Sequence, residues 1–157
     1  MWMSRLVLVF VMLSTVLLAA DGYAGKVQRL AGRITLKITS AVPAGGGFGF
    51  TWAKGTLTLI DGTEHVFSVS GLGIRGNEGS IFDLEAKGEV YNLTMIEDFA
   101  GTYRRTMGEL SPERGMNTLI IKNERDVHIV VTVQFAKESG DAHLTPSESG
   151  VTVKLER

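Results

Sequence analysis

The feature that most constrains this chain is a period of two in its apolar residues. Across 33–39, Ile34, Leu36 and Ile38 alternate with Arg33, Thr35, Lys37 and Thr39. Across 127–135, Val127, Ile129, Val131, Val133 and Phe135 form one face, and His128, Val130, Thr132 and Gln134 the other. Side chains spaced by two leave a strand on the same side, so burying one side fixes both the strand and its register. The pattern returns at Phe82, Leu84 and Ala86 and again at Val151, Val153 and Leu155. No stretch of 33–157 carries a helical period of comparable length, and sheets must supply the core.

Turn residues divide these runs. Ala41–Gly47 (AVPAGGG) separates a first strand from an extended segment over 48–60, in which Gly55 predicts a bulge or bend. Asp61-Gly62 stands between Leu57-Leu59 and Val66-Phe67-Val69 and predicts a tight hairpin with both residues at positive φ. Gly88 interrupts the strand that begins at Ser80. Thr94-Met95-Ile96-Glu97 has the spacing of a capping box, and Gly101 ends any helix after about one and a half turns. The region 108–117 reads as a loop, Asn123–Asp126 as a polar hairpin turn, and 137–149, which contains Pro146, as a polar connection. The expected fold is all-β, a small antiparallel barrel or curled sandwich of about eight strands with one short helix.

Residues 1–24 set the expected location. Arg5 precedes an apolar run over 6–18 (LVLVFVMLSTVLL), and small residues return at Ala19, Ala20, Gly22 and Ala24. This layout predicts a signal peptide over 1–24 and a single β domain over 25–157. The run is shorter than the roughly 20 residues that cross a bilayer. The mature chain is therefore expected to be exported without a transmembrane span, periplasmic in a Gram-negative bacterium and otherwise secreted. The chain has no cysteine, so neither disulfides nor a lipidated cysteine can hold it. The net charge is −1, and losing Arg5 and Asp21 with the leader leaves it unchanged. No basic stripe is present to meet nucleic acid.

Chemical motifs are sparse. Gly71-Leu72-Gly73-Ile74-Arg75-Gly76 matches the spelling of a dinucleotide fingerprint. An alternating strand, and not a helix, follows it, so it reads as a glycine-rich loop. The three histidines lack ligand spacing. Asp126/His128 and Asp141/His143 would have to meet to hold a metal, and a surface role is the commoner outcome. The serines lack a nucleophile-elbow context, and Glu97, Asp83 and Glu85 have ready roles in capping or on a wet strand face. No catalytic residue, metal ligand or cofactor is assigned. The densest mixture of donors and acceptors surrounds the short helix, and it makes Tyr91, Asn92, Asp98 and Tyr103 the candidate ligand-binding residues.

Gly55-Thr56-Leu57, a glycine-rich turn, and then Gly88-Glu89-Val90-Tyr91-Asn92-Leu93 resemble small exported proteobacterial proteins of unknown function. They are also similar to the periplasmic envelope-integrity proteins typified by EipA. The resemblance covers about residues 48–103 and implies a β-barrel-like domain connected with the cell envelope; it transfers no catalytic residue. The function expected is an exported, soluble, non-enzymatic β domain that binds an envelope component or a protein partner. The alternatives are a carrier with a small apolar ligand in a cavity lined by Phe67, Phe82, Leu84 and Val131, and a hydrolase built on Asp98 or a neighbouring carboxylate.

Overall fold

A computed structural model of the protein describes residues 28–45, 50–76, 79, 81–106, 116–135 and 142–157. The leader expected over 1–24 lies outside the described residues. Among the described residues ten strands follow in order: β1 Leu30–Ala41, β2 Phe50–Leu59, β3 Glu64–Ser70, β4 Leu72–Arg75 and β5 Ile81–Tyr91, then β6 Gly101–Arg105, β7 Met116–Lys122, β8 His128–Gln134, β9 His143–Pro146 and β10 Val151–Leu155. Eight of them close an antiparallel barrel in the order β1-β2-β3-β10-β6-β7-β8-β5. The sandwich alternative is thereby set aside. β4 and β9 pair separately, Leu72 with Pro146 through Arg75 with His143.

The alternation read from the sequence becomes the wall of the barrel. Ile34, Leu36 and Ile38 point inward and are buried, as are Val127, Ile129, Val131, Val133 and Phe135. The outward rows Arg33, Thr35, Lys37 and Asp83, Glu85, Lys87 are polar. A membrane barrel has the opposite arrangement, with its apolar band outside. Three strands (β1, β2 and β5) run 10 to 12 residues, longer than the alternation alone delimits.

Gly55 and Gly88 neither bulge nor break their strands. Registers run unbroken through Leu36↔Gly55↔Phe67 and Ile34↔Gly88↔Val131. What requires glycine is space. A Cβ at Gly55 would lie 2.5 Å from the Phe67 ring and 2.7 Å from the Thr35 carbonyl oxygen, and one at Gly88 2.5 Å from the Val130 carbonyl oxygen. A narrow barrel needs such small positions opposite large ones.

Both ends are covered. At one end a 3-10 turn, Ile96–Phe99, buries Phe99 against Phe67, with ring centroids 5.0 Å apart and planes at 82°. At the other, the β4–β9 ribbon buries Leu72, Ile74 and Leu144. The segment 71–76 contains a strand as well as a loop, and Pro146 closes β9 instead of lying in a connection. The capping box is also not formed. Met95 is the N-cap, no side chain caps the turn, and the helix is four residues of 3-10 geometry. So short an element gains little from capping; the burial of Phe99 holds it.

The hairpin at Asp61-Gly62 forms with a longer loop than expected. The Leu59 N–H donates to the Thr63 carbonyl at 2.9 Å and the Gly62 N–H to the Leu59 carbonyl at 2.9 Å, leaving a three-residue loop. Gly62 has φ +87° and Asp61 is not left-handed. The β7–β8 turn repeats this arrangement: Asn123 N–H meets the Val127 carbonyl at 3.1 Å, Asp126 N–H meets the Asn123 carbonyl at 3.3 Å, and Asp126 takes the left-handed position with φ +64°.

Candidate functional site

The four residues expected to form a ligand site gather at one end of the barrel. This is the end that carries the start of β1, the β2–β3 and β7–β8 turns and the 3-10 turn. They separate into an inner and an outer pair.

Tyr103 belongs to the inner pair. It is fully buried, and its hydroxyl donates to the Phe99 carbonyl at 2.7 Å. Burial pushes its phenol well above the usual tyrosine range. Asp98 accepts a hydrogen bond from the Arg125 guanidinium at 2.7 Å, and its own carbonyl accepts one from Asn123 Nδ2 at 2.8 Å. In the outer pair, the Tyr91 hydroxyl donates to the Glu89 carboxylate two residues back, and that bond raises the Tyr91 pKa. Asn92 adopts φ +63°. Its Oδ1 accepts from the Arg29 N–H at 3.1 Å, its Nδ2 donates to the Asp126 carbonyl at 3.4 Å, and its backbone N–H donates to the Arg29 carbonyl at 2.8 Å.

The residue that organises this corner is Asn123, which the sequence reading treated only as part of a polar turn. It is 5% exposed. Its Oδ1 accepts from the N–H groups of Arg125 at 2.9 Å and Val127 at 3.0 Å, while its amide reaches across to Asp98. One side chain thus ties the β7–β8 turn to the 3-10 turn. An asparagine at the first position of a turn was the available signal, because its short amide can bond backbone two residues on. Nothing local marked it as buried.

Beside the corner, His128 Nε2 lies 3.4 Å from Asp126 Oδ1, and His128 Nδ1 lies 3.4 Å from Gln28 Nε2. His143 stands at the opposite end of the barrel, paired with Arg75. His128 and His143 therefore do not meet, and Asp141 lies outside the described residues. Among the described residues no three His, Asp or Glu side chains come together as metal ligands.

Among the described residues, an inner and an outer space bear on binding. Inside, a cavity of about 20 Å³ lies among Ile34, Leu36, Phe67, Leu119, Val131 and Val153, room for about one water molecule. Of the four residues expected to line a carrier cavity, Phe67 and Val131 border this space; Phe82 instead packs edge-on against Phe135, centroids 6.0 Å apart. Outside, a groove of about 250 Å³ runs over β1 and β2, lined by Thr35, Lys37, Lys54, Thr56, Val66 and Glu85. It lies over the Leu36↔Gly55 pair, where Leu36 points inward and Gly55 has no side chain, and the flanking outward side chains stand around the hollow. Lys54 Nζ lies 3.2 Å from Glu156 Oε1.

Neither a protein-family model nor a curated protein sequence matches this chain. A solved structure from Brucella abortus, described as a beta-barrel-like, uncharacterized protein, is similar with a TM-score of 0.47 and 19% identity, over 78% of this chain and 70% of that one. Among the described residues no helix is long and apolar enough to cross a membrane.

Proposed function

We propose that this protein is an exported, non-enzymatic binding domain that works in the periplasm and holds an envelope component on the outside of its barrel. The observation that carries this reading is the contrast between the two spaces. The cavity among Ile34, Leu36, Phe67, Leu119, Val131 and Val153 offers about 20 Å³, whereas the outer groove offers about 250 Å³ lined by Val66 and by charged and hydroxyl side chains. Of these two spaces, the groove is the one that takes a ligand of appreciable size. The polar groups of the corner already serve one another, which favours a structural role for Tyr103 and Asn92. The apolar run over 6–18 supports export.

The test is to express the full chain in a Gram-negative host, weigh the protein released by osmotic shock, and sediment it with isolated envelope. The expected result is a mature mass beginning at Gly25 and saturable co-sedimentation. A chain that keeps residues 1–24, or a mature protein that stays in the supernatant, would overturn the reading.

A further inference from the structure

The chemistry of the outer groove continues along the strands that form it. Trp52 stands two residues from Lys54 on the same outward face of β2, about 7 Å away along the strand. Three rows of paired residues cross this face: Asp83–Thr39–Trp52, Glu85–Lys37–Lys54 and Lys87–Thr35–Thr56. Trp52 is 65% exposed on a regular strand. A large aromatic left in water in this way is the informative exception to burial, because the indole face is a rigid apolar plane.

The charges around the groove cancel. Lys37 sits between Glu85 and Lys54 in register, and Lys54 is paired with Glu156. An anion gains little from such a surface. Hydroxyl groups gain more, because they both donate and accept. Here they meet ammonium donors, a carboxylate acceptor and threonine hydroxyls that do either. A flat apolar plane beside a balanced set of donors and acceptors matches a sugar whose hydroxyls are equatorial and whose ring faces are covered by C–H bonds.

We propose that this face binds a neutral β-linked oligosaccharide. One ring stacks on Trp52, and the hydroxyls of its neighbours bond Lys37, Lys54, Thr35, Thr56 and Glu85. This assignment names the ligand class within the envelope-binding reading above and rests on it.

The chain contains two tryptophans, so Trp2→Phe leaves Trp52 as the one indole. Purified Trp2→Phe protein is titrated with chitotetraose and with cellotetraose while indole emission is followed. The expected result is saturation with at least one of them. Calorimetry should then find that affinity weakened about tenfold by Trp52→Ala, and by Lys37→Ala combined with Lys54→Ala, at unchanged melting temperature. Lack of saturation by both sugars at millimolar concentration would overturn the site. So would affinity untouched by the substitutions, or preferential binding of tetragalacturonate. Titration of the purified protein reads the groove whether or not the chain is exported. Conversely, undiminished sedimentation of Trp52→Ala with envelope would remove the glycan site and leave envelope binding standing.

Discussion

Asn123 shows how much one side chain can organise when it is buried with every polar atom used. Its amide closes the β7–β8 turn on one side and holds the Asp98 carbonyl on the other. Removing it would leave two backbone N–H groups and a carbonyl short of that partner, the Val127 N–H in the buried part of the corner. Asn123→Ala is expected to destabilise the fold by about 3 kcal/mol, measured by urea denaturation. Arg125→Ala removes the visible ion pair to Asp98, yet the Arg125 side chain is 70% exposed. Its expected cost is under about 1 kcal/mol in the same assay, because solvent screens a pair held at the surface. Asp61 makes a point about pH. A hydrogen bond from Thr63 holds its carboxyl below the ordinary 3.8. Its contribution to stability is thus fully present above that unfolded value and is lost as pH falls through the lower folded one. An NMR titration of the Asp61 carboxyl carbon should find its midpoint below 3.8, and Thr63→Ala should move that midpoint upward.

At the scale of the element, glycine has two separate uses in this protein. Gly62 is needed for its backbone: with φ +87° it completes a three-residue loop, and Gly62→Ala is expected to cost about 1 kcal/mol. Gly55 is needed for the absence of a side chain. The Cβ of Gly55→Ala would collide with the Phe67 ring and the Thr35 carbonyl, both held in the packed wall. That substitution is expected to cost about 3 kcal/mol and to lower the melting temperature more than Gly62→Ala does. Periodicity reads both as punctuation, because a pattern along one strand carries no information about the strand beside it. The capping box at Thr94–Glu97 failed for a related reason. Side-chain caps matter to helices that stand on their own backbone bonds, and this turn is held by Phe99 against Phe67.

For the molecule as a whole, the closure of the barrel is uneven. β1 is paired along nearly its full length on both sides, from Gly32 to Ala41 with β2 and from Leu30 to Ala41 with β5. Among the described residues the β6–β7 seam is short: Arg104↔Lys122 and Arg105↔Ile121 pair, and the Thr106 N–H donates to the Ile120 carbonyl at 3.2 Å. Opening should begin where the fewest bonds must break together. Amide hydrogen exchange is expected to be slowest in β1 and fastest, among the strands of the barrel, at the β6–β7 seam.

The inward faces of β1, β5, β8 and β10 and the places of both hairpins were legible in the sequence, because alternation and turn chemistry are local properties; the short strands β4 and β9 were not, because four residues are too few to show a period. Val127 to Phe135 reads inward by period alone, and every one of those expected core residues is buried. Four things required the tertiary structure: closure of the sheet into a barrel, the covering of its ends by Phe99 and by Leu72, Ile74 and Leu144, the burial of Asn123, and the groove beside Trp52. Each depends on which strands become neighbours. Neighbours are selected by packing between residues far apart in the chain, and no period within one segment records that choice.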